Sequence, residues 1–233
     1  MPAHTRLDHL VVFASQLERG IQWCEATLGV TPGPGGTHPL MGTHNRLINI
    51  ASPKFPMAYL EIIAIDPEAE SPKHRRWFDM DDANLRRLIQ VNGPQLIHFV
   101  LAVEELDRKL AYLKSLGIDR GVKRHASRPT SGGLLQWQIT VREDGQRLFD
   151  GCMPTLICWE SSHPCLNMPD SGLSLQSLEI THDQDTLLHH ALQGLGMEKL
   201  GVDHGPACIR AQLQTPRGLV MLRSSDVPVG QGF

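Results

Sequence analysis

The sequence predicts an α+β fold. Two β-α-β-β-β modules pair into a curved mixed sheet with a concave site, and a partial third strand–helix module packs against them. Three observations lead there. Residues 7–30, LDHLVVFASQLERGIQWCEATLGV, recur 89 residues later as LIHFVLAVEELDRKLAYLKSLGID over 96–119, so that Leu7 falls on Leu96, His9 on His98, Val11 on Val100 and Arg19 on Arg108. Each copy is followed by segments of alternating hydrophobicity, the mark of half-buried strands. A fainter echo of the strand–helix pattern begins at Leu175, LQSLEITHDQDTLLHHALQGLG. Such repeats constrain architecture strongly, because each copy must bury its apolar face against another.

Residues 1–66 form the first module. Strand 7–13 alternates so that Leu7, His9, Val11 and Phe13 are expected on one face, with Asp8 on the other beside an arginine. The following helix carries Leu17, Ile21, Cys24 and Leu28 at helical spacing and ends at Gly29, a residue free to adopt the left-handed cap. TPGPGGTHP (31–39) is turn-rich with at most a short strand. GTHNRLINIAS (42–52) and AYLEIIAID (58–66) are strands, the second placing Tyr59, Glu61, Ile63 and Ile65 on one face. Residues 67–94 are a charged connector with an apolar stripe (Trp77, Phe78, Leu85, Leu88, Ile89). It is expected to form one or two short helices over one side of the sheet and to stop at Asn92-Gly93-Pro94.

The second module, 95–165, repeats the strand and helix, the latter with Leu106, Leu110 and Leu113, and ends that helix at Gly117. GVKRHASRP (121–129) is partly extended, LLQWQITV (134–141) alternates cleanly, and TLICWES (155–161) is the last strand. SSHPCLNMPDSG (161–172) reads as a boundary. Residues 173–225 give a strand, a helix and a hairpin around Pro216-Arg217-Gly218, one strand fewer than the other modules. The tail from Asp226 is expected to fray.

The totals bound the function. A chain of 233 residues can build a substantial core without metal staples. A net charge of −3 gives no basic footprint for nucleic acid. Five cysteines (24, 152, 158, 165 and 208) without a C-x-x-C pair point to a reducing, cytoplasmic setting. There is no signal-peptide core and no apolar run of ~18 residues, so no membrane partner is expected. No G-x-x-x-x-G-K-[ST], G-x-G-x-x-G or G-x-S-x-G occurs, which leaves nucleotide binding and serine hydrolysis without support.

Four polar residues interrupt apolar strand rows: His9, Glu61, His98 and Glu160. A carboxylate inside AYLEIIAI costs several kcal/mol to desolvate unless it is paired or bound to metal. Two pseudo-symmetric modules would each bring one His and one Glu to a shared concave surface, a mixed N/O donor set suited to Zn, Ni, Fe, Mn or Co. Glu160 matches Glu61 only if the second module is ten residues longer, since 160 − 61 is 99 against the repeat offset of 89. A three-residue slip would instead set Ile157 opposite Glu61. His38, His44 and Asn45 can line the cavity mouth, with His44 and Asn45 as donors to a substrate oxygen, or they can merely shape a turn.

The doubled β-α-β-β-β pattern with His in each first strand and Glu in the last resembles the vicinal oxygen chelate superfamily. That superfamily includes glyoxalase I, extradiol dioxygenases, fosfomycin-resistance enzymes and metal-free drug-binding proteins. DHLVVF, GTHNRLINI and YLEIIAID are similar to the corresponding stretches of the bacterial glyoxalase-like domain family. The resemblance, over about residues 5–165, implies a divalent metal held by His9, Glu61, His98 and Glu160. It implies a lyase or isomerase acting on a small oxygen-rich substrate through an enediolate, with Glu61 or Glu160 as general base. Two alternatives stay open: an extradiol-type dioxygenase with iron on two His and one carboxylate, and a metal-free small-molecule binder. A homodimer is the assembly the resemblance allows for.

Overall fold

The computed structural model describes residues 5–130 and 133–224; the tail from Asp226 lies outside them. The first module runs β1 (Arg6–Phe13), α1 (Leu17–Leu28), β2 (Thr37–His38), β3 (Thr43–Asn49) and β4 (Tyr59–Ile65). The connector supplies a single helix, α2 (Ala83–Asn92). Asp82 caps it through Leu85 N–H, and the chain leaves it at Gly93. The second module is β5 (Gln95–Ala102), α3 (Leu106–Ser115), β6 (Val122–Thr130), β7 (Gly133–Val141) and β8 (Thr155–Trp159). Gly29 and Gly117 both adopt the left-handed conformation (φ 78° and 76°) that ends their helices.

The eight strands form one mixed sheet in the order β2-β3-β4-β1-β5-β8-β7-β6. Antiparallel β1 and β5 lie at its centre, and each is flanked by the parallel last strand of its own module. The order therefore reads the same outward from the β1–β5 seam in both directions, as the sequence repeat requires. Curvature brings the two outer edges together, and Arg128 of β6 donates to Asn45 Oδ1 of β3 at 3.1 Å.

Two apolar layers follow from the alternation. Leu10, Val12, Leu60, Ile62, Phe99 and Leu101 face the convex side, where α1, α3 and α4 (Asp185–Leu195) pack. A second sheet closes that layer. It is built from β9 (Ser174–His182), β10 (Val202–His204), β11 (Cys208–Thr215) and β12 (Gly218–Arg223), in the order β10-β9-β11-β12. Leu175, Ile180, Leu188, Ile209 and Leu213 join the same core. The third segment thus gains the short β10 that its sequence did not suggest. Its first strand is interior, so its topology differs from the other two modules. On the concave side, Val11, Phe13, Ile63, Ile97, Val100, Trp137 and Ile157 are covered by Trp77, Phe78, Met80, Leu85 and Ile89 of the connector.

The alternation expected for β1 fails at one place. The β1–β5 register shifts between Leu7 and His9, and again between Val11 and Val12, where Ile97 is the extra residue on β5. Each central strand therefore bulges just before its repeat histidine. A bulge re-aims the side chains beside it. Leu7 joins the convex core, and Asp8 turns inward beside His9.

Candidate active site

The first bulge creates the site. Asp8 is fully buried, and its Oδ1 lies 2.6 Å from His9 Nδ1. Its Oδ2 accepts from Trp159 Nε1 at 2.7 Å and lies 3.0 Å from His163 Nε2. Burial alone would raise the Asp8 pKa, but hydrogen bonds from His163 and His9 overcome it and hold the carboxyl well below its ordinary value. An ionised Asp8 can only accept, so His9 carries its proton on Nδ1 and His163 on Nε2. His163 Nδ1 then accepts from Cys165 N–H. The expectation of an arginine partner on the opposite face is corrected: the bulge places Asp8 among two imidazoles and an indole.

Beyond His9, the chain of contacts continues to Glu61. His9 Nε2 faces Glu61 Oε2 at 3.6 Å, and the His9 ring stacks on Tyr59 with centroids 4.6 Å apart. Both residues are nearly excluded from solvent, at 3% and 5% exposure. Asn45 Nδ2 donates to Glu61 Oε1 at 2.6 Å and lies 3.3 Å from His38 Nε2. Asn45 Oδ1 accepts from Gly36 N–H and Arg128. All four hydrogen-bonding positions of this amide are used, which fixes its orientation. His38 Nε2 must accept, so Nδ1 donates to Thr43 Oγ1 at 3.0 Å. Burial and then the charge of Arg128 push the His38 pKa down to about 3. The result is a continuous polar chain, His163–Asp8–His9–Glu61–Asn45–His38, inside an apolar cup.

The other half of the sheet carries a mirror of this arrangement without the carboxylates. Val11 pairs with Glu61 across β1–β4, and Val100 pairs with Thr155 across β5–β8. Since Val11 and Val100 are repeat equivalents, the counterpart of Glu61 is Thr155, neither Glu160 nor Ile157. His98 Nδ1 bonds the Gly151 carbonyl at 2.8 Å, while Nε2 accepts from Thr155 N–H at 3.1 Å and lies 3.0 Å from Thr155 Oγ1. Arg120 bonds the same hydroxyl and the Pro154 carbonyl. Burial, followed by the Arg120 charge, holds the His98 pKa well below its ordinary value. Ile97 stands where the first module has Asp8.

These contacts decide which expected site residues meet. His9 and Glu61 converge, and Asn45 joins them, though its amide holds Glu61. His98 has both ring nitrogens committed to protein groups. Glu160 is exposed beyond the end of β8, bonded to Gln138 Nε2 at 2.5 Å and 3.5 Å from His125 Nδ1. His44 alternates away from Asn45 on β3 and approaches Asp66 at 3.9 Å. Among the described residues, no group of three or more His, Cys, Asp and Glu is placed to hold a metal ion. The donor set therefore does not fit the four-ligand metal that the resemblance implied. The sequence reading set Asp8 on the opposite face and passed over His163; the one available signal for Asp8 was an acidic residue within an apolar strand, the same signal that marked Glu61.

The neutral, buried His38 and His98 carry a pH consequence. Unfolded imidazoles protonate near 6.5, whereas both native rings resist protonation to much lower pH. The unfolded state therefore binds more protons below about pH 6.5, and stability is lost as pH falls. With two such groups, unfolding free energy should decrease by up to roughly 2.7 kcal/mol per pH unit between pH 6 and 4. Urea midpoints measured across that range test this, and His38→Gln should remove about half of the slope. A midpoint unchanged from pH 7 to 5 would show that the native rings protonate freely.

A paired β-α-β-β-β cup with a His–carboxylate centre on its concave face defines a protein of the vicinal oxygen chelate superfamily. The chain belongs to the glyoxalase-like domain family, whose sequence model matches residues 7–196. Among solved structures, a hypothetical protein from Staphylococcus aureus is similar over 94% of this chain and 85% of its own, with 15% identity and a TM-score of 0.58. That likeness concerns the fold, and its coverage extends it into the third segment. Methylmalonyl-CoA epimerase from Mycobacterium tuberculosis aligns over 67% of this chain and 88% of its own, at 17% identity and a TM-score of 0.37. A methylmalonyl-CoA epimerase in complex with methylmalonyl-CoA and NH4+ aligns over 71% and 99%, at 16% identity and a TM-score of 0.40. No curated protein matches the chain significantly. Among the described residues, no helix is long and apolar enough to cross a membrane.

Proposed function

We propose that the protein is an isomerase or lyase that moves a proton on a small, oxygen-rich carbonyl substrate, with Glu61 as general base and His9 as its partner. The observation that carries this reading is the opposition of Glu61 Oε2 and His9 Nε2 at 3.6 Å, each clamped from behind by Asn45 and Asp8. Glu61 Oε2 takes the proton from the carbon next to the substrate carbonyl. The C–H electron pair becomes the new C=C bond, and the carbonyl pair moves onto oxygen. In its protonated form, His9 donates from Nε2 to that oxygen, and Asp8 at Nδ1 stabilises the charge on the ring. Return of the proton from Glu61 to the former carbonyl carbon, while the α-hydroxyl proton passes to the enolate oxygen and the carbon that bore the hydroxyl regains a C=O bond, completes an isomerisation. A substrate oxygen seated between the two groups needs about 2.8 Å to each, so the pair widens on binding.

The mechanism assigns no step to a metal, because the expected donor set does not assemble. The iron dioxygenase alternative needs two histidines and a carboxylate with open positions, and the commitment of His98 to Gly151 and Thr155 weighs against it. A binding protein without catalysis remains the second reading, favoured by the burial of His9 and Glu61. Exchange in D2O separates the two. Small α-hydroxycarbonyl compounds and thiol adducts of 2-oxoaldehydes, followed by NMR, should lose the α-proton signal in the presence of protein. Binding without exchange would place the protein in the second class.

A further inference from the structure

We propose that a basic pocket at the end of the cup, separate from the His9–Glu61 network, binds a phosphate-bearing small molecule. The pocket has a volume of about 590 Å³ and lies where residues 72–76 of the connector meet Arg124 of β6 and the end of β7. That size is within the range of roughly 300–1,000 Å³ usual for small-molecule sites. Five cationic side chains line it (Lys73, Arg75, Arg76, Arg124 and Arg142) against Asp81 and Glu143. Such a surplus runs against the net charge of −3 on the whole chain.

Two of the arginines are already positioned. Asp81 accepts from both the backbone N–H and Nη1 of Arg76, and Asp144 takes Nε and Nη2 of Arg142. Among the described residues, Lys73, Arg75 and Arg124 have no carboxylate within ion-pair distance. The Nε atoms of Arg76 and Arg124 are buried and, among the described residues, have no hydrogen-bond partner, an expensive condition for a charged group. The walls are held by backbone. At Gly145 (φ 72°) a Cβ would lie 2.0 Å from the Arg76 carbonyl, and Asp79 N–H bonds the Gly145 carbonyl at 3.0 Å. A single carboxylate would leave most of these donors unmatched. A phosphate or pyrophosphate presents enough charge and acceptor oxygens for several guanidinium groups at once.

Calorimetric titration of the full chain with pyrophosphate, at constant ionic strength, tests the assignment. Saturable one-to-one binding is expected, more than tenfold weaker in Arg124→Gln and in Lys73→Gln, the latter at an exposed position that should not affect folding. Citrate should bind more than tenfold more weakly than pyrophosphate. Absence of saturable binding, an affinity unchanged from the parent protein in both variants, or equal affinity for citrate would each overturn the proposal.

Discussion

Glu61→Gln should lower substrate α-proton exchange by about 10²–10⁴-fold, the usual contribution of a positioned general base. Glutamine keeps the volume and can still accept from Asn45 Nδ2, so the polar chain around it survives and the protein should remain folded. It cannot take a proton from carbon. The loss should therefore fall on kcat, with KM changing much less. Measuring exchange rate against substrate concentration in the variant, with thermal unfolding as a control, separates these parameters. Undiminished exchange in a folded Glu61→Gln protein would remove Glu61 as the base and leave His9 to be tested in its place.

Asp8→Ala should be the most destabilising single change in the site, at about 3–5 kcal/mol, because it leaves three buried donors without an acceptor at roughly 1–3 kcal/mol each. Its two oxygens face His9 Nδ1, His163 Nε2 and Trp159 Nε1. Truncation strands all three donors in an apolar cup and opens a cavity beneath the bulge. Asp8→Asn keeps the shape and one acceptor, so a smaller loss is expected. Urea denaturation of the two variants measures both effects. Equal and small losses would mean that the network is hydrated, with little of the Asp8 charge buried.

The two halves show how a repeat can be kept in fold while its chemistry is confined to one copy. His9 sits with Asp8 and Glu61; its twin, His98, sits with Ile97 and Thr155. In the first half the imidazole retains a nitrogen facing a carboxylate. In the second, backbone groups of Gly151 and Thr155 occupy both nitrogens, and the residue helps tie β5 to β8 and to the turn before it.

The architecture was legible in the residues because it rests on periodicity. The 89-residue repeat, the helical spacing of Leu17, Cys24 and Leu28, and the alternation of 58–66 and 134–141 are local signals that burial enforces position by position. Glu61 was legible for the same reason, since a carboxylate within an apolar run requires a partner. The identity of its partners was not. Asp8 faces the site because of a one-residue bulge, and a shift of register carries no mark in hydrophobic pattern. His163 and Arg128 reach the site across 155 and 83 residues of chain respectively, from Asp8 and Asn45. Contacts at such separations are set by sheet closure alone. The repeat suggested that His98 would act like His9; only the pairing of Val100 with Thr155, five residues short of Glu160, showed that the second half has a hydroxyl where the first has its carboxylate.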